Sequence, residues 1–543
     1  MKRGLRRKIL WSAAVCLLGP PAAERAFDIC SPYPMAKLRG LPLSLEILDA
    51  RGRTLMVRPT EAGERVLPAS WDRVSEALRV AVLTSEDGRF FAHGGVDLLA
   101  VGRALLQNVL AGRVVSGAST LTMQCVRIVE PRTRTFASKV VEALRARQLE
   151  RLLGKKDILD FWLTQVPMGR TLRGLEAASR YWFGKSASDL DEAEAATLVA
   201  MIPAPSRRDP ARHGDRLLRC RNALLVEMAE ASEFDRHRLG ELLARPLGAK
   251  AHPWPFHAPH LCEVAMREHQ TTGPVLRTRA DLDAHERILS LIRREDLPGD
   301  ALAIVVLARS DGSPEVLIGS ADFRLSPLDA ALRPRSLGST LKPLLYALGV
   351  ETGAIGSASR LADVPRTYGT WSPANFHAGH AGSIGADQAL AVSSNLPAVS
   401  SLDRVGTEAF AELLRDSGLP VDRSGIHLDA ALGTSAASPL QLARAYLLFV
   451  EHPERLHLSR RSVDWALSAM SRFPPSPGRD PAGRVAWKSG TSSGRRDAWC
   501  VGVTRDRVVV VWMGNRDGRG EAGLVGIRRA SRLLADVTAL LGE

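Results

Sequence analysis

Gly338-Ser339-Thr340-Leu341-Lys342-Pro343-Leu344-Leu345-Tyr346, residues 338–346, sets a serine and a lysine three positions apart at the opening of an apolar helical stretch. Serine is a poor nucleophile near neutral pH and needs an adjacent base. Residues three apart on a helix share a face, so Lys342 can exchange a proton with Ser339. The positive end of a helix dipole at that place also favours the alkoxide. This is the single Ser-x-x-Lys in the chain. Such a tetrad also arises by chance, so its meaning depends on the residues downstream of it.

Two further elements come in order. Ser393-Ser394-Asn395 precedes the apolar Leu396-Pro397-Ala398-Val399, and Lys488-Ser489-Gly490-Thr491 ends an expected strand. The chain has 73 basic residues, of which ten are lysine, so it prefers arginine for positive charge. Lysine can lose its proton and act as a base, which arginine effectively cannot. That two of the ten lysines fall in this series points to acyl-serine chemistry. Gly490 lets a substrate approach the strand closely.

Around these elements the hydrophobic period is that of an α+β domain. Ala301–Ala308 and Glu315–Ser320 read as a hairpin, and residues 485–491, 497–504 and 507–515 read as a second strand cluster. Helical stretches lie between, so strands from both ends of the domain should pair into one sheet. Upstream, residues 96–112, 139–153, 155–166 and 190–202 carry apolar positions at three- and four-residue spacing. They read as one mostly α domain. Before it lies a stretch that is Pro-rich at first and then alternates in strand fashion over residues 43–57, and after it a Pro-rich stretch without period. The expected division is 1–24 basic start and membrane segment, 25–64 juxtamembrane linker, 65–245 helical domain, 246–270 linker and 271–540 serine-enzyme domain.

At 543 residues the chain suits two or three domains. With 45% hydrophobic and 24% charged residues it is globular rather than disordered. Its net charge of +14 implies an anionic partner, namely nucleic acid, anionic lipid or a phosphorylated substrate, or else a solvated arginine-rich face. No nucleic-acid module, Walker A or Rossmann glycine pattern occurs, which argues against nucleic acid. Six scattered cysteines without a Cys-x-x-Cys pair make neither a zinc site nor a disulfide framework, and are expected to be buried small residues. Five basic residues within Met1–Lys8 precede an apolar run, Ile9–Ala23. That run is short against the ~20 residues of a spanning helix, so a signal core and an anchor fit equally. The charge asymmetry keeps the N-terminus inside and exports the rest.

The helical block contains Glu86-Asp87 followed by Phe90 and His93, then hydroxyls at a helix start with Gln124 and Arg127, then Lys139 and Glu142 at three-residue spacing. This offers acids for general-base work beside cations and hydroxyls suited to phosphate. Taken singly, Glu86 also reads as a turn acid, Ser119 as an N-cap, and Lys139 with Glu142 as an ordinary helix ion pair.

The series from Ser339 to Thr491 resembles the penicillin-binding transpeptidases over roughly residues 275–535. The resemblance implies Ser339 as nucleophile toward the penultimate D-Ala of a stem peptide and Lys342 as its base. Ser393 and Asn395 would relay a proton and bind the substrate amide, and Lys488 and Thr491 would hold the terminal carboxylate. The oxyanion hole would come from the backbone amides of Ser339 and Thr491, beside the close-approach Gly490.

Glu86, Asp87, Phe90, His93, Gly95 and Asp97, then Gly117 to Gln124, then Lys156, Ile158, Leu159, Gly169, Gly174, Ala177, Ala178, Tyr181, Phe183, Gly184 and Lys185 resemble glycosyltransferase family 51 over about residues 65–240. This implies a lysozyme-like domain that polymerises lipid II. Glu86 would deprotonate the acceptor hydroxyl and Glu142 would act near the leaving pyrophosphate. Ser119, Gln124, Arg127 and Lys139 would contact the phosphates and sugars of the donor, and Asp87 would also bind substrate. The departures are Met123 for Gln, Ser138 for Arg and Thr164 for Asn.

Together the chain resembles class A penicillin-binding proteins of the 1C type, with the transpeptidase reading as its last domain where an extra one is usual. The fold class implied is a helical glycosyltransferase followed by an α+β, β-lactamase-like transpeptidase. No cofactor is implied for the transpeptidase, and a divalent cation, Mg or Mn, is admitted at the glycosyltransferase. Partners would be lipid II, peptidoglycan stem peptides, β-lactams as covalent inhibitors, the cytoplasmic membrane, which the chain would cross once with its catalytic domains outside, and cell-wall synthesis proteins. Two alternatives stay open: an acyl-serine hydrolase such as a D,D-carboxypeptidase or β-lactamase, and a non-catalytic cell-wall scaffold.

Overall fold

The computed structural model describes residues 25, 27–111, 119–133, 135–232, 236–269, 273–376, 379–422, 425–473 and 485–542. The expected membrane segment, 1–24, lies outside them, and so does Gly117. Among the described residues no helix is long and apolar enough to cross a membrane. By their contacts the residues fall into two compact units. One lies within Met1–Glu46, Val57–Pro255 and Thr272–Val275, and the other within Ile47–Met56, Phe256–Thr271 and Leu276–Glu543.

The first unit is helical where the periodicity places helices: Leu98–Ala111, Phe136–Leu152, Lys155–Gln165 and Glu192–Met201. Short polar residues start them. Thr135 accepts from the Ser138 amide, and Asp191 with Glu194 forms a capping box. Trp162, Trp182, Leu78, Leu121 and Leu198 pack into one core. Arg221 is fully buried in the helix Pro210–Ser232. Its guanidinium donates to the carbonyls of Leu243 and Arg245 at 3.3 and 2.8 Å, satisfying the otherwise open end of the helix Arg236–Ala244.

The second unit is built on a five-stranded antiparallel sheet in the order Ala486–Thr491, Asp497–Val503, Arg507–Gly514, Ala301–Ala308, Pro314–Ile318. The last strands of the chain thus pair with the first of the domain, Val509 opposite Val306 and Val511 opposite Ile304. Val508–Trp512 are buried without alternation because both faces are covered. Leu282–Arg294 and Ala530–Leu540 pack on the side of Val509 and Val511. Pro439–Glu451 packs against the same two central strands.

The linker expected over 246–270 is not linker throughout. Pro259–Glu268 is a helix that buries Leu261, Cys262 and Val264 within the second unit. Its proline sits at the first helical position, where a missing N–H removes no bond, so proline content disguised a helix start. The stretch expected as a juxtamembrane linker, 25–64, contains the strands Leu45–Leu48 and Thr54–Arg58. Of the described cysteines, Cys125, Cys262 and Cys500 are buried as expected, whereas Cys30 is exposed and Cys220 half-buried.

Arg221→Ala should lower the unfolding free energy of the first unit by about 3 kcal/mol, since it leaves buried carbonyls unpaired. Chemical denaturation followed by tryptophan fluorescence measures this, and an unchanged midpoint would contradict the capping role.

Candidate active sites

Ser339 lies in a 3-10 turn, Gly338–Leu341, and the α-helix begins at Lys342. Ser339 therefore precedes the helix it was expected to open, and the turn brings i and i+3 into line more closely than an α-helix does. Lys342 is completely buried. Its Nζ lies 2.8 Å from Asn395 Oδ1, 2.9 Å from the Ser393 carbonyl and 3.2 Å from the Ser394 carbonyl, with Ser393 Oγ at 3.5 Å. Lys488, 3% exposed, donates to the same Ser393 Oγ at 2.7 Å and to the Ser489 carbonyl at 2.9 Å. The three sequence elements thus meet at one hydroxyl.

Burial, and then the charge of Lys488, holds the Lys342 amine well below its ordinary range. Burial brings Lys488 down to about 7. Removing two ammonium groups from water favours their neutral forms. A neutral Lys342 has two hydrogens for its two shortest acceptors and one lone pair left for a proton. Ser393 holds this position with φ 61°, a strained conformation for a non-glycine residue.

Close approach explains the glycines here. A Cβ on Gly338 (φ 55°) would come to 2.8 Å from the Thr491 amide nitrogen, and one on Gly490 would come to 2.6 Å from the Leu337 carbonyl. The nucleophile turn and the strand of Thr491 are therefore pressed backbone to backbone, which puts the Thr491 amide beside the nucleophile turn. A cavity of about 500 Å³ is lined by Ser339, Ser393, Asn395, Thr491, Phe376 and Arg495. Lys342 and Lys488 do not line it. Both lie at the hydroxyl of Ser393, which does line it.

Sequence reasoning missed the support of this loop. Asn375 Oδ1 accepts from the Asn395 and Leu396 amides at 3.0 and 3.2 Å, and its Nδ2 donates to Asp363 at 2.8 Å. Ser394 Oγ lies 3.1 Å from Asp363 and 3.0 Å from Asn375 Oδ1. Asn375 sits in an irregular stretch with no period or motif to signal it. Tyr446 donates to the Thr340 carbonyl at 2.5 Å, fixing the nucleophile turn from the helix behind.

In the first unit Glu86 ends the helix Glu76–Glu86, and Gln124 Nε2 donates to its carboxylate at 2.8 Å. Trp162 Nε1 donates to Gln124 Oε1 at 3.0 Å, which fixes the orientation of that amide. Burial pushes the Glu86 carboxyl up, against the lowering effect of the Gln124 and Ser85 bonds. Asp87 instead is structural in its contacts, receiving the Leu121 amide at 3.1 Å and His93 Nε2 at 3.0 Å.

The plainer readings of the other candidates are corrected. The N-cap of Leu121–Val129 is Thr120, not Ser119. Ser119 Oγ accepts from Lys139 Nζ at 2.7 Å. Glu142 pairs with Arg127 at 3.0 Å. Lys139 and Glu142 therefore each reach across to the segment 119–127. Of the three departures, Met123 is in the core, Thr164 exchanges hydrogen bonds with the backbone of Ala69, and Ser138 meets the Thr135 cap at 2.9 Å. Among the described residues no group of three or more His, Cys, Asp or Glu side chains converges to hold a metal, and the Glu142 carboxylate is taken up by Arg127.

Residues 53–229 match the transglycosylase family, and residues 303–521 match the penicillin binding protein transpeptidase domain. The chain is 34% identical to penicillin-binding protein 1C of Escherichia coli strain K12, an alignment covering 87% of this chain and 65% of that one. It is 27% identical to penicillin-binding protein 1F of Bacillus subtilis strain 168 over 93% of this chain and 78% of that one. In fold it resembles the crystal structure of penicillin-binding protein 1A from Haemophilus influenzae, with TM-score 0.55, 16% identity and 92% coverage of both chains.

If a depressed lysine pair activates Ser339, covalent labelling by a penicillin should speed up as pH rises through about 7, where Lys488 loses its proton. Below that pH Lys488 is charged, and its charge lowers the proton affinity of Lys342 and makes it a weaker base. Ser393→Ala should slow labelling roughly 100-fold without unfolding the protein. Time courses across pH and for the variant test both, and a flat profile with an unaffected variant would contradict the arrangement.

Proposed function

The chain belongs to the penicillin-binding proteins that join a transglycosylase to a transpeptidase, and on that premise we propose that it polymerises lipid II and crosslinks the resulting strands. The observation that carries the crosslinking half is the meeting of Lys342 and Lys488 on Ser393, beside a cavity that Ser339 lines.

In the crosslinking step, Ser339 Oγ attacks the penultimate D-Ala carbonyl while its proton passes to Lys342. The backbone amides of Ser339 and Thr491 receive the oxyanion, each donor supplying ~3 kcal/mol. The proton goes on to the departing D-Ala amine, leaving an acyl-serine. Ser393 carries protons between the lysines and the reacting groups, and its short bond to Lys488 supports this. Asn395 lines the cavity and offers its amide to the peptide. Thr491, which lines the cavity, suits the terminal carboxylate. An amine of a second stem peptide then displaces the serine.

In the polymerising step, Glu86 takes the proton of the acceptor hydroxyl as it attacks the anomeric carbon of the growing strand. A carboxyl raised by burial is a stronger base, and Gln124 fixes its orientation. Lys139 bonded to Ser119, and Arg127 oriented by Glu142, suit the phosphates of the donor. In this reading these side chains supply positive charge to the phosphates. The same anionic lipid accounts for the net charge of +14. The apolar run before Glu24 is proposed to hold the chain at the membrane.

Ser339→Ala should abolish the penicillin adduct while leaving strand polymerisation intact, and Glu86→Gln should do the reverse. Gel analysis of lipid II products with fluorescent penicillin labelling separates the two. Polymerisation surviving Glu86→Gln would remove that residue from the chemistry. Products trimmed of D-Ala but never dimerised would assign the serine site to hydrolysis.

A further inference from the structure

A second cavity of about 510 Å³ lies in the transpeptidase unit, apart from Ser339. Its walls come from the helix Pro259–Glu268, the helix Leu282–Arg294 and the loop after the edge strand Pro314–Ile318. We propose that this cavity binds an uncharged, N-acetylated saccharide through His260, His285 and Ser320, with Phe256 and Phe323 as its apolar face.

Three buried polar atoms on this wall, His260 Nε2, His285 Nδ1 and Ser320 Oγ, have no hydrogen-bond partner among the described residues. The two histidines are 3% and 6% exposed. Buried polar groups are normally satisfied, and three orphans from three elements on one cavity call for a polar occupant. The Gly319 amide donates to His260 Nδ1 at 3.2 Å, so Nε2 carries a hydrogen with nowhere to donate it. Ser320 can both donate and accept. That mixture matches hydroxyl and acetamido groups.

Charge argues the same way. Burial holds both imidazoles down to about 4, so they are neutral at physiological pH. Glu286 and Asp322 in the lining oppose an anion, while Arg293 and Arg324 oppose a cation. Among the described residues no third ligand joins the histidines to make a metal centre. Phe323 meets Phe256 at 5.4 Å and His260 at 5.0 Å between ring centroids. Phe256 is 45% exposed, leaving a ring surface for sugar C–H groups. The volume is that of a small-ligand site. The choice of saccharide rests on the proposed polymerase, whose glycan would be the ligand at hand.

The experiment is titration of the full chain with N,N′-diacetylchitobiose, read by calorimetry and by saturation-transfer NMR. Saturable binding is expected, weakened at least about tenfold by Phe256→Ala and by His285→Leu, and unchanged by Glu86→Gln or by prior acylation of Ser339. Phe256→Ala alters an exposed side chain, so it reports even where His285→Leu impairs folding, and penicillin labelling checks each variant. No saturable binding, binding indifferent to both cavity variants, or binding lost with Glu86→Gln or on acylation would overturn the proposal. Penicillin labelling or glycan synthesis persisting alongside absent disaccharide binding would overturn this site alone and leave the bifunctional reading standing.

Discussion

Two lysine side chains buried on one serine hydroxyl are the constraint around which the transpeptidase unit is arranged. Taking an ammonium group out of water is unfavourable by several kcal/mol unless it is paired or neutral, and no carboxylate bonds either amine among the described residues. The unit answers with carbonyl acceptors, a shared Ser393 and depressed proton affinity. Each contributor sits on a different element. Lys342 begins the central helix, Ser393 joins two others in a strained conformation, and Lys488 lies on an outer strand of the sheet. Those elements need a rigid frame. The sheet that pairs both ends of the domain supplies it, with Tyr446 and Asn375 fixing the two loops.

The first unit reaches its chemistry by a different route. The carboxyl of Glu86, proposed as its base, is raised by burial and held by a chain of hydrogen bonds from the Trp162 indole through Gln124. Its cations remain where a phosphate could reach them, with Lys139 exposed and Arg127 half-buried. The departures at Met123 and Thr164 fall into packing and backbone bonding.

Much of this was legible in the sequence because each signal was local. The Val-rich strands, the helices of the first domain and the order Ser339, Ser393, Lys488 depend on neighbours in the chain. What escaped depended on distant partners. Nothing near Asn375 announces that its amide holds the Ser393–Asn395 loop, and nothing near Trp162 announces Gln124. Spacing also misled once. Lys139 and Glu142 look like a helix pair, yet their partners lie on the preceding segment. Proline content hid the helix Pro259–Glu268, because proline reads as linker except at the first turn.

The central claim, that burial leaves the two active-site lysines with depressed proton affinity, can be measured directly because the chain has only ten lysines. Lysine ¹³Cε chemical shifts followed against pH, with Lys342→Ala and Lys488→Ala used for assignment, would report each titration. Two resonances should titrate well below the ordinary amine range, that of Lys488 near about 7. Ten resonances all titrating near an ordinary lysine value would contradict the account.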